Sequence, residues 1–121
     1  MSTIDRNSHF EATFVAIAAV SPRTLFLRHG KAYQVCGEDQ IEIGEVVVGR
    51  SDRRSEIDKG NLTDVFALDA DVFYATNGKA YLTLVAANAA SAGGTGAFQA
   101  GIAQVASGAT EPTVMVLLNF A

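Results

Sequence analysis

The chain has one cysteine, no tryptophan, two prolines and only 18% charged residues in 121 positions. Each shortage excludes something. Cys36 alone excludes an internal disulfide and any zinc site built from several thiolates. Nine Lys and Arg against thirteen Asp and Glu give a net charge of −4. That balance disfavours nucleic acid or an anionic membrane as partner, because both need clustered, unneutralised positive charge. The longest early apolar stretch, Ala12–Val20, is too short to span a bilayer. The polar start, with neither a basic segment nor a following apolar run, does not read as a signal peptide. The expected setting is therefore the cytoplasm or a particle assembled there.

What the chain has is apolar content. Hydrophobic residues make up 49% of it, enough for a packed core and against disorder. A low charged fraction in so short a chain also suggests surface that copies or partners cover. The length suits one domain.

Strand signals dominate from Thr24 onward. Thr24–Arg28 and Ala32–Cys36 flank the turn signal His29-Gly30. Ile41–Ile43 alternates apolar and charged, as a half-buried strand does. Glu45–Gly49 continues as a β-branched run. Arg50–Gly60 reads as a charged loop without apolar period. Asp64–Leu68 and Asp71–Ala75 read as short strands. Asn77-Gly78 is the strongest hairpin signal, predicting a two-residue turn with positive φ at both positions. Its return strand is Ala80–Val85. Ala86–Gly96, small and glycine-rich, reads as a surface loop. Phe98–Val105 and Thr113–Leu118, joined by the turn Ser107–Pro112, are the last strands. Glu11–Val20 is open between helix, first strand and extended arm. The fold class expected is all-β, a small single-domain barrel or sandwich of six to nine strands. Residues 1–20 form its arm or first strand, and 21–121 its β domain. Gly30-Lys-Ala-Tyr33 recurs as Gly78-Lys-Ala-Tyr81, an echo at two expected hairpins rather than a repeat array.

No catalytic constellation stands out. Cys36 has neither a base nor a positive field at close spacing to make it a thiolate. His9 and His29 lie too far apart in sequence, and without further ligands, to suggest a metal. Gly93-Gly-Thr-Gly96 lacks the third glycine and the following helix of a dinucleotide loop. Asp69/Asp71 and Glu38/Asp39 read as solvated turn residues. Arg50, Arg53 and Arg54 are interleaved with Asp52, Glu56 and Asp58, unlike a nucleic-acid groove. The expectation is a non-enzymatic binding or assembly protein, with no cofactor and no metal.

The second half has a familiar arrangement. Asp71-Val-Phe-Tyr-Ala-Thr-Asn-Gly-Lys79, a glycine-rich segment, Gln99-Ala-Gly-Ile-Ala-Gln-Val-Ala-Ser-Gly108 and Thr113-Val-Met-Val-Leu-Leu-Asn119 follow in order. With Ile41-Glu-Ile-Gly-Glu-Val-Val-Val48 upstream, this resembles the small capsid decoration (cement) proteins of tailed bacteriophages. The resemblance covers about Gln40 to Asn119 and rests on strands and turns, not on a site motif. It implies a barrel, β-tulip or jelly-roll fold. The implied role is clamping the outside of a phage head, against the major capsid protein and copies of itself, as a trimer or alternatively a dimer. It implies a place on the virion exterior after synthesis in the host cytoplasm. The alternatives are another virion or tail β module, or a small oligomeric enzyme with a site between subunits. Candidate capsid contacts are Phe10 and Phe14 on an arm from Ser2 to Phe14, which could fill pockets. The loop from Arg50 to Lys59, carrying Arg50, Arg53 and Arg54, is the second candidate.

Overall fold

The computed structural model describes residues 10–120. The fold is all-β, in the class of small barrels and sandwiches, with nine strands among the described residues. The chain divides into two compact units, Met1–Arg53 and Arg54–Ala121.

The first unit is one antiparallel sheet of four strands: β1 (Glu11–Val15), β2 (Leu25–Arg28), β3 (Lys31–Val35) and β4 (Val46–Arg50), in the order β1-β4-β3-β2. Within Glu11–Val20, the segment left open by sequence, Glu11–Val15 is therefore a strand, paired residue by residue with Val46–Arg50. Residues 1–9, which hold most of the expected arm and His9, lie outside the described residues. Period-two alternation puts Phe14, Phe26, Val35 and Val47 on one face, packed with Ala16, Val20 and Ile41. Phe14 meets Phe26 edge-on at 5.2 Å, and Phe26 stacks on Tyr33 at 5.4 Å. The sheet curls so that its two edge strands approach. Arg28 on β2 donates from Nη1 to the Thr13 carbonyl of β1 at 2.9 Å and covers the Phe14 ring at 5.3 Å. Gly49 makes room for this curl. A Cβ there would stand 2.5 Å from two carbons of the Phe26 ring.

The second unit is a sheet in the order β5-β9-β8-β6-β7, from β5 (Arg54–Asp58), β6 (Asp71–Tyr74), β7 (Ala80–Tyr81), β8 (Phe98–Ala103) and β9 (Thr113–Leu118). Its largest fully buried side chains are Phe66, Val72, Val114 and Val116. Gln99 and Gly101 face consecutive residues of β6, leaving Ala100 as the extra residue of a bulge. The Ala100 carbonyl accepts instead from the Asn119 N–H at 2.8 Å. Beside β7 lies a short helix, α1 (Leu84–Ala89), which buries Ala87.

Five expectations are corrected. Arg54–Asp58, read as loop, is β5. It alternates exposed Arg54, Glu56 and Asp58 with buried Ser55 and Ile57, and a small polar residue at an inward position hid the period. Ile41–Ile43 is not a strand. Ile41 makes one bridge to Val20, and the chain turns at Gly44, where φ is 92°. Asp64–Leu68 likewise has a single bridge, from the buried Phe66 to Ser107. The strand expected over Ala80–Val85 stops at Tyr81, and the loop expected at Ala86–Gly96 begins within α1. Thr83 caps that helix, accepting from the Ala86 N–H at 3.1 Å, and alanine is the best helix former.

The fifth correction concerns the turn at Asn77-Gly78. Only Gly78 has positive φ there. Gly78 N–H donates to the Ala75 carbonyl at 2.9 Å, and Ala75 N–H to that of Lys79 at 3.0 Å. This is the three-residue hairpin, with a left-handed glycine closing it. The two-residue turn with both φ positive is at His29-Gly30, φ 52° and 75°, between the paired Arg28 and Lys31. The echoed Gly-Lys-Ala-Tyr does the same work twice. Each copy supplies a positive-φ glycine, an exposed lysine, and a buried alanine and tyrosine entering the return strand.

Candidate functional site

The described residues offer three features: a charged row on the first unit, a cleft at its end, and exposed apolar side chains on both units. The row follows from strand register. Arg50 on β4 stands directly opposite Glu11 on β1 and Gln34 on β3. Its guanidinium reaches Glu11 Oε2 at 3.3 Å and grips Asp52 twice, at 2.8 and 3.1 Å. The hydrogen bond from Arg50 holds the Asp52 carboxyl below its ordinary value. The bond to Asp52 also raises Arg50, which stays charged at every working pH.

The five expected contact residues have different surroundings. Phe10 is half-exposed, and its carbonyl accepts from the Ser51 N–H at 2.8 Å, which puts it beside Arg50 and Asp52. Phe14 instead packs against its own unit's core. Arg50 is bound by carboxylates, whereas Arg53 is exposed at the end of the first unit and Arg54 exposed at the start of β5.

A cleft of about 280 Å³ lies where β3 leaves the sheet, lined by Arg23, Gln34, Cys36, Gly37, Glu38 and Arg53 among others. Gln34–Glu38 are consecutive, but Arg23 and Arg53 come from two other segments, so no spacing pattern could have joined the three. Cys36 is half-buried here, its N–H donating to the Val48 carbonyl at 2.8 Å.

The apolar feature on the first unit is a corner of four residues. Val15 and Val46 are register partners and both are exposed. Ala16 exchanges hydrogen bonds with Glu45 and Gly44 at 2.9 Å, which brings Ile17 and Ile43 to the same end. Ile17 is 91% exposed and Ile43 71%. On the second unit Leu62, Val65, Leu68, Val85 and Val105 are also more than half exposed.

No group of three potential metal ligands occurs among the described residues. No helix in this range is long and apolar enough to cross a membrane. Lys59 is buried, but its ammonium is committed to structure. It donates to the carbonyls of Asp64 at 2.7 Å and Gly108 at 2.6 Å and lies over the Phe66 ring. Comparison with known proteins gives no matching family model, no significantly similar curated protein and no significantly similar solved structure.

Proposed function

We propose that the chain is a structural, non-enzymatic decoration (cement) protein of a tailed-phage head, working without cofactor. In this reading it sits on the outside of the virion, against the major capsid protein and copies of itself, as a homotrimer with a dimer as the alternative. The observation that carries the reading is the exposed apolar corner of Val15, Ile17, Ile43 and Val46. Contiguous apolar surface on a small chain marks a place where protein is meant to pack. The resemblance over Gln40 to Asn119 and the 18% charged fraction support it. Phe10, beside the Arg50–Asp52 pair at the opposite end of β1 and β4, is a second candidate contact, an aromatic anchor with a charged rim.

The test is co-sedimentation of the purified chain with expanded phage heads stripped of their own decoration. Saturable binding at a fixed number of copies per capsomer is expected. Val15→Asp with Ile17→Asp should abolish it while leaving the fold intact, since both side chains face outward. Absence of binding, or equal binding to unrelated capsids, overturns the proposal.

A further inference from the structure

The two arginines of the β3 cleft stand apart from the others of the first unit. Arg50 is held by Glu11 and Asp52, and Arg28 is spent on the Thr13 carbonyl and the Phe14 ring. Arg23 and Arg53 both line the cleft, both are exposed, and neither is within ion-pair distance of a carboxylate among the described residues, although the Arg53 charge also acts on the neighbouring Asp52. Arg23 also occupies an unusual backbone position. Its φ is 66°, the left-handed region that glycine and asparagine adopt with less cost. The fold holds it there through the Arg23 N–H, which donates to the Val35 carbonyl at 3.2 Å, while Val35 N–H donates to that of Thr24 at 2.9 Å. The backbone of Arg23 is thus fixed at the rim, with an exposed arginine side chain where a small residue would fit the backbone better.

Size and charge narrow the ligand. At about 280 Å³ the cleft is smaller than the usual drug-sized site and fits one small group. Two guanidinium forks match the planar pair of oxygens of a carboxylate or phosphate. Glu38 lines the same cleft, so its charged side chains sum to +1. A carboxylate neutralises that charge, whereas a phosphate dianion would leave an excess beside Glu38.

We propose that the Arg23–Arg53 cleft binds a carboxylate, supplied either by a small free acid or by an acidic side chain of a partner protein. This site is separate from the apolar corner and does not depend on the head-binding reading.

Cys36, at the cleft wall, reports on occupancy in the isolated full chain. The measured quantity is the rate at which its thiol reacts with a methanethiosulfonate reagent. Butyrate, a monocarboxylate, and an acetylated, amidated Gly-Glu-Gly peptide are the two probes, with inorganic phosphate as the control. Both carboxylates are expected to slow the reaction saturably, and phosphate to do so less. Stronger protection by butyrate identifies a free acid as the source, and stronger protection by the peptide a partner side chain. Arg23→Asn keeps a residue suited to the left-handed backbone, so it should fold normally by circular dichroism. That variant and Arg53→Gln should each weaken protection about tenfold, the loss of one charge-assisted fork. Glu38→Gln should strengthen it. Absence of protection overturns the proposal. So does protection unchanged in both arginine variants, or phosphate protecting as well as butyrate.

Discussion

Replacing Gly49 with alanine tests why the first sheet curls as it does. A Cβ at this position points onto the inner face. There it would stand 2.5 Å from Cε1 and Cζ of Phe26 and 3.0 Å from the Tyr33 Cβ. The Phe26 ring cannot simply step aside, because it stacks on Tyr33 at 5.4 Å and meets Phe14 at 5.2 Å. Overpacking of this kind costs about 1–3 kcal/mol. Removing a glycine from a strand returns about 0.5–1 kcal/mol through the unfolded chain. With the ring held on both sides the cost falls in the upper part of that range, so the net expectation is a loss of about 1–2.5 kcal/mol, read by urea denaturation followed by tyrosine fluorescence and far-UV circular dichroism. The mechanism also predicts coupling. Phe26→Leu alone should destabilise by opening a cavity, yet in the Gly49→Ala background it should cost less, because the smaller side chain clears the new methyl. The expected coupling is about 0.5–2 kcal/mol. Gly49→Ala as stable as the parent, or strictly additive effects in the double variant, would refute the argument.

Three further outcomes follow from local geometry. Thr83→Ala removes the cap of α1 and should cost about 1 kcal/mol, while Thr83→Ser should keep most of it, both measured by urea midpoint. His29→Asn suits a two-residue turn with positive φ at both positions better than histidine does, and should raise the urea midpoint slightly. Asp52 is held below its ordinary value of 3.8 by Arg50, so its contribution is present above that value and lost as pH falls through the lowered one. Because the pair is about one-third exposed, this acid-side loss is small; Asp52→Asn should remove it from a series of urea midpoints against pH.

The strands with strong β-branched runs were legible in sequence, since Val46–Val48 and Thr113–Leu118 need no context to read as strands. Arg54–Asp58 was not, because its inward positions are Ser55 and Ile57, and one buried serine erases an apolar alternation. Its pairing along β9 supplies what propensity did not. The helix after Thr83 was masked by Leu84-Val85, which prolonged the strand pattern although both side chains end up exposed. Turn chemistry misled in the other direction. Asn77-Gly78 suited a two-residue turn, but the pairing closes one residue wider, with Ala75 and Lys79 as the bonded pair. The cleft was illegible for a different reason. Arg23, Gln34, Cys36 and Arg53 come from three separate segments, and only the sheet's register and the turn before β2 bring them together.

The most direct test of the proposed function is the temperature at which packaged heads release their DNA. Heads lacking their own decoration would be heated with and without the chain, and release followed by a dye that the intact shell excludes. A cement protein bound outside the shell should raise the release temperature, saturating at the same occupancy that co-sedimentation gives. The Val15→Asp, Ile17→Asp variant should leave the release temperature at that of bare heads. An unchanged release temperature at full occupancy, or an equal rise with the variant, would contradict the account.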